Sequence, residues 1–146
     1  MNSSKIVLLV LATIVATMGI GFLASCGSSP EDMLVGKWEG TSPDNASRGI
    51  VLVFKDDGSM VGWQTRNGEI RESQIIDGHY TFNFTTDPMQ LDIHAVERDD
   101  PDDDVHLYAI VAFTPSGDLQ LWADDDERPT ELDVNSRKYM LLKRIE

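Results

Sequence analysis

Beyond residue 33 the chain alternates short apolar runs with clusters of turn-forming residues, and no stretch sustains a helical period. The runs predict strands at 36–41, 49–55, 59–66, 70–77, 78–84, 89–97, 105–114, 118–123 and 139–145. The runs at 70–77 and 78–84 are separated only by the Asp77-Gly78 step and read as one bent strand, giving about eight in all. Sequential antiparallel hairpins are the simplest connection, and closing the sheet on itself removes exposed edges. The expected fold is all-β, an up-and-down antiparallel barrel of about eight strands.

Turn chemistry fixes parts of the register. Asp56-Asp57-Gly58 and Pro115-Ser116-Gly117 both fit three-residue hairpin loops, a type I turn followed by glycine in the left-handed conformation. Pairing Thr114 with Asp118 sets Phe113 opposite Leu119 and Val111 opposite Leu121, with Ala109 and Leu107 on the same inner face. A loop at 85–88 pairs Phe84 with Met89, Phe82 with Leu91 and Tyr80 with Ile93. Apolar meets apolar at every step, and a one-residue slip would destroy that match. Val51, Val53, Val61 and Trp63 form a second apolar face on the first hairpin. This face is either a partner surface or lies beneath the loop at 44–47.

The N-terminal segment has a different character. Lys5 precedes an almost wholly apolar run at 6–22, which ends in small residues, the three parts of an export signal. The run is broken by Gly19 and Gly21 and is shorter than the ~20 apolar residues of a membrane span. Leu23-Ala24-Ser25-Cys26 resembles the lipobox of bacterial lipoproteins. That resemblance implies cleavage before Cys26, acylation of Cys26 by palmitate-class chains, and residence in the cell envelope. Gly27 after the cysteine implies the outer membrane, facing the periplasm. The chain then divides into a signal helix at 1–25, a tether at 26–32 and a barrel domain at 33–146. Cys26 is the sole cysteine, so lipid attachment leaves no thiol for an internal disulfide.

Charge narrows the partners. The chain carries 25 acidic and 12 basic residues, a formal net charge of −13, and all of the acids follow Cys26. Such a surface repels nucleic-acid phosphates and anionic headgroups, and attracts a cationic protein at long range.

Gly36-Lys37-Trp38 on the first strand is similar to the Gly-x-Trp signature of the lipocalin-like superfamily. The likeness implies that Trp38 plugs one end of the barrel and that Arg144, on the last strand, packs over it with cation–π character. The chain also resembles a family of small bacterial domains, often lipoprotein-borne and without assigned activity. The shared pattern is Leu34-x-Gly36-x-Trp38, Asp57-Gly58, Pro88 with Leu91-Asp92-Ile93, Tyr108, Gly117-Asp118-Leu119-x-Leu121, Arg128-Pro129-Thr130-Glu131 and Leu141-Leu142-Lys143-Arg144. This second resemblance implies a fold and no chemistry.

Candidate chemistry is sparse. His79, His94 and His106 fall on three consecutive strands, and cross-strand separations of ~4.5–5.5 Å allow three imidazoles to surround one Zn²⁺. The alternative is histidines scattered on a solvated face. The acidic runs at 99–104 and 124–127 lack the alternating ligands and glycine of an EF-hand, so mutually repelling charges on exposed turns are expected. No nucleophile sits in a recognisable catalytic motif and no phosphate loop occurs, so neither an enzyme nor a cofactor is expected. Trp38, Phe54, Trp63, Tyr80, Phe82, Phe84 and Phe113 either line a pocket for a small apolar ligand or lipid, or fill the barrel as core. The functional expectation is a non-catalytic binding domain for such a ligand. Docking of a cationic protein is the alternative, and metal binding at the histidines the remote one.

Overall fold

The computed structural model describes residues 27–145. A five-residue helix, α1 (Pro30–Leu34), leads into eight strands: β1 (Gly36–Ser42), β2 (Asn45–Phe54), β3 (Ser59–Arg66), β4 (Glu69–Asn83), β5 (Met89–Glu97), β6 (Asp104–Phe113), β7 (Leu119–Asp124) and β8 (Tyr139–Arg144). Each strand pairs antiparallel with the next, and β8 returns to β1, closing an up-and-down barrel.

The hairpin chemistry sets the register. Gly58 and Gly117 take positive φ in their loops, and Phe113 pairs with Leu119 and Val111 with Leu121. Phe82 pairs with Leu91 and Tyr80 with Ile93. The runs at 70–77 and 78–84 are one strand of 15 residues. At Gly78 the β5 backbone leaves no room for a side chain: a Cβ there would lie 2.2 Å from the His94 carbonyl oxygen and 2.5 Å from Ala95 Cα. Only a residue without a side chain permits that approach. Asn67 and Gly68 both have positive φ, as a two-residue type I′ turn between β3 and β4 requires.

Helix α1 spans the end of the segment expected to be a tether and the first residues of the expected barrel domain. The Ser29 hydroxyl accepts from the Asp32 amide at 3.1 Å, and the Asp32 carboxylate accepts from the Ser29 amide at 3.2 Å. This is a capping box with Pro30 in the first turn, enough to start a helix whose end is held by tertiary contacts. Ordered structure among the described residues thus starts at Pro30.

The interior is packed with side chains from every strand. Leu34, Trp38, Phe54, Leu91, Val111, Leu119 and Leu142 are essentially inaccessible, and Tyr80, Phe82, Phe113 and Met140 pack against them. Phe54 meets Tyr80 edge-on at 5.0 Å, and Trp38 meets Phe113 at 6.2 Å. These contacts place most of the aromatic set in the core; Phe84 is exposed and Trp63 stands on the outside.

The long β7–β8 connection folds back as a strap across the outside of β6. Pro129 is buried there beside Ile110, which points away from the core yet is only 1% exposed. Arg128 donates to the Ala109 carbonyl at 3.0 Å and to Asp92 on β5 at 2.5 Å, and lies 5.8 Å from the Tyr108 ring centroid. Ser136 accepts from the Trp122 indole at 3.1 Å, and Lys138 pairs with Asp124.

Candidate functional site

One end of the barrel is closed by Trp38. Its indole donates to the Leu34 carbonyl at 2.8 Å, and the Arg144 guanidinium lies 4.5 Å from its ring centroid. Arg144 also donates to the Val35 carbonyl at 2.7 Å and to the Met33 carbonyl, fastening α1 across the opening. Gly36 enters β1 at φ 141°, a conformation that disfavours any side chain. Gly36, Trp38 and Arg144 thus form one structural unit that binds helix to barrel and offers no reactive group.

The outer face of β5 and β6 carries a second cluster. Along β5, Leu91, Ile93 and Ala95 point inward, so Asp92 and His94 point outward; along β6, Asp104, His106 and Tyr108 do the same. His94 and His106 are direct cross-strand partners, and their rings stack with centroids 4.1 Å apart at 24°. Asp104 bridges them, its two carboxylate oxygens 2.7 Å from His94 Nε2 and 3.0 Å from His106 Nε2. Desolvation pushes the Asp104 carboxyl up, but the hydrogen bonds and charges of His94 and His106 together outweigh it, leaving its pKa below the ordinary carboxylate value. The three residues are exposed and offer one ligand atom each within 4.8 Å of one another.

His79 pairs with His94 in the β4–β5 ladder but is not in this group. It also pairs with Ser59 on β3, beside the β2–β3 hairpin towards the opposite end of the barrel. The three-histidine constellation is therefore replaced by His94, Asp104 and His106. Asp104 was hidden because it reads as the last residue of a repelling acidic loop, whereas it opens β6. The signal was present in Asp104-x-His106, since residues two apart on a strand share a face.

A groove of about 440 Å³ runs beside this cluster between Lys55, Val61, Asp77, His79, His94 and Val96, open to solvent. Asp77 forms a two-pronged pair with Arg98, at 2.8 and 3.0 Å. The arginine hydrogen bonds hold the Asp77 carboxyl below its usual range.

The apolar face on the first hairpin is largely shielded by its own members. Val51 is 4% exposed, Trp63 is its cross-strand partner, and the Lys37 ammonium lies 6.0 Å from the Trp63 ring centroid. The segment at 44–47 does not cover it, because Asn45–Ser47 are the start of β2 itself. In the acidic run at 124–127, Asp124 is engaged by Lys138 and by the Asp126 amide, which hold its pKa low.

Leu23, Ala24, Ser25 and Cys26, the residues expected to direct lipid attachment, and the signal helix at 1–25 lie outside the described residues. The chain matches no family model, no curated protein and no solved structure.

Proposed function

We propose that this protein is an exported, lipid-tethered, non-catalytic binding module that acts through the outside of its barrel, docking a cationic protein at the end remote from the membrane. The observation that carries the reading is the placement of α1 and the acidic connections at opposite ends of the barrel. Helix α1 and the β2–β3, β4–β5 and β6–β7 loops share one end; the antiparallel order puts the other connections at the far end. Pro30 is four residues from Cys26, a reach of at most ~15 Å in extended chain, so acylation at Cys26 holds the α1 end against the membrane. A lipid cluster of two or more chains makes such anchoring stable. The far end then presents Asp99, Asp100, Asp102, Asp103, Asp125, Asp126 and Glu127, all exposed. Clustered carboxylates focus an attractive field on a cationic partner.

The packed interior supports an outside surface over an internal apolar ligand. A Cβ on Gly40 would meet Leu142 Cδ2 at 2.5 Å, and one on Gly62 would meet Leu52 Cδ2 at 2.9 Å, so even a methyl group is crowded at these inward positions. Charge reversal tests the docking reading. Lysine at Asp99, Asp100, Asp102 and Asp103 together abolishes photo-crosslinking from the far end to a basic envelope protein, while crosslinks from Asp56, at the near end, are unaffected. Equal crosslinking before and after reversal contradicts it.

A second reading is favoured by the His94–Asp104–His106 cluster. Two imidazoles and a carboxylate are a Zn²⁺-class donor set that leaves a fourth position open. Both Nε2 atoms face oxygens of the Asp104 carboxylate, so a bound metal takes the place of these two hydrogen bonds. A Zn²⁺ titration that leaves the His94 and His106 NMR shifts unmoved rejects this reading.

A further inference from the structure

Among the described residues the arginines divide into two sets. Arg98, Arg128, Arg137 and Arg144 each have a carboxylate or carbonyl partner. Arg48, Arg66 and Arg71 are exposed and have no ion pair or side-chain hydrogen bond among the described residues. They are not scattered. Arg48 on β2 and Arg66 on β3 are direct cross-strand partners, and Arg66 pairs in turn with Glu69, two residues before Arg71 on β4. All three arginines line one cleft of about 250 Å³, together with Gln64 and Thr65.

Like charges directly opposite across a ladder destabilise a sheet, and a chain with 25 acidic residues has ample means to neutralise them. Yet Glu69, although the ladder partner of Arg66, forms an ion pair with none of the three among the described residues, and Asp44, on the neighbouring turn, is turned to Arg137 at 3.6 Å. Guanidinium forks match oxyanions in two-pronged fashion, and Gln64 and Thr65 add neutral donors. We propose that the Arg48–Arg66–Arg71 cleft is a binding site for a phosphoryl oxyanion, such as pyrophosphate or a phosphate-bearing headgroup. Its volume lies below the roughly 300–1,000 Å³ of pockets for drug-sized ligands and fits a small anion. Charges more than about 8–10 Å away are largely screened at physiological salt, so the acids that bear on the cleft are its neighbours Glu69 and Glu72, against three guanidinium groups.

Calorimetric titration of the full chain in neutral detergent with inorganic phosphate and with pyrophosphate tests the proposal, beside flotation with phosphatidylglycerol and phosphatidylcholine vesicles. Arg48→Ala and Arg66→Ala each weaken binding about tenfold or more, and Arg66→Lys restores only part of it because the charge returns without the fork. Far-UV circular dichroism stays unchanged and the thermal midpoint does not fall in these variants, since all three side chains are exposed and the Ala substitutions relieve the Arg48–Arg66 repulsion. Pyrophosphate binding lost in the variants supports a soluble ligand. Retention on phosphatidylglycerol but not phosphatidylcholine vesicles, lost in the same variants, supports a headgroup source for the cleft and contradicts the orientation proposed above, since the cleft lies at the end of the barrel remote from α1. Absence of both, or binding indifferent to the substitutions, overturns the proposal.

Discussion

The Arg144 guanidinium lies over the Trp38 ring, 4.5 Å from its centroid, while its nitrogens hold the Val35 and Met33 carbonyls. One side chain therefore joins the last strand, the first strand and the helix before it. Arg144→Ala loses a cation–π contact and charge-assisted hydrogen bonds, and lowers unfolding free energy by about 1–3 kcal/mol in denaturant titrations. Trp38→Ala costs more, about 3–5 kcal/mol, because it empties a fully buried site. An Arg144→Lys variant recovers less than half of the Arg144→Ala loss, since an ammonium neither stacks nor forks.

Gly78 offers a sharper steric test. Its absent Cβ would meet backbone atoms of His94 and Ala95, which have no rotamer to escape into. Gly78→Ala destabilises by about 2 kcal/mol or more, whereas Gly62→Ala, whose nearest neighbours are the ends of Leu52 and Ile76, costs less. Paired equilibrium unfolding curves decide the order.

Acid sensitivity follows from the Asp77–Arg98 pair. A carboxyl whose folded-state pKa is depressed adds stability above its unfolded value of about 3.9 and loses it as pH falls through the folded value. The stability gap between wild type and Asp77→Asn is thus present at neutral pH and closes below about pH 4. Both side chains are half exposed, so solvent screening keeps that gap small. Unfolding midpoints measured across the acid range give the curve.

The β7–β8 strap depends on Arg128. Arg128→Met breaks its bonds to Asp92 and the Ala109 carbonyl and lowers stability by about 1–2 kcal/mol, discounted for the partial exposure of Asp92. Hydrogen exchange of the Ile110 region quickens first, because the strap opens before the barrel does.

The strands were legible because register leaves a record in sequence: apolar residues face apolar residues across Tyr80–Ile93, Phe82–Leu91 and Val111–Leu121 only in the native pairing. Glycine closing Asp56-Asp57-Gly58 and Pro115-Ser116-Gly117 marked two hairpins, and Asn67-Gly68 carried an equally strong signal for a third. Helix α1 was less legible, because five residues are too few for a periodic pattern and only the Ser29–Asp32 cap betrayed it. The outward cluster was half legible. His94 opposite His106 follows from pairing, but membership of Asp104 and loss of His79 depend on where side chains turn on an open face. The arginine cleft was not legible, since Arg48, Arg66 and Arg71 meet only once three strands are in register.

The outside-surface account is tested most directly by native mass spectrometry of the full chain purified from its own membrane. The account predicts the barrel free of any small apolar molecule and in one-to-one complex with a basic protein that dissociates at about 0.5 M salt. A stoichiometric small apolar molecule that stays bound through the same salt wash would contradict it.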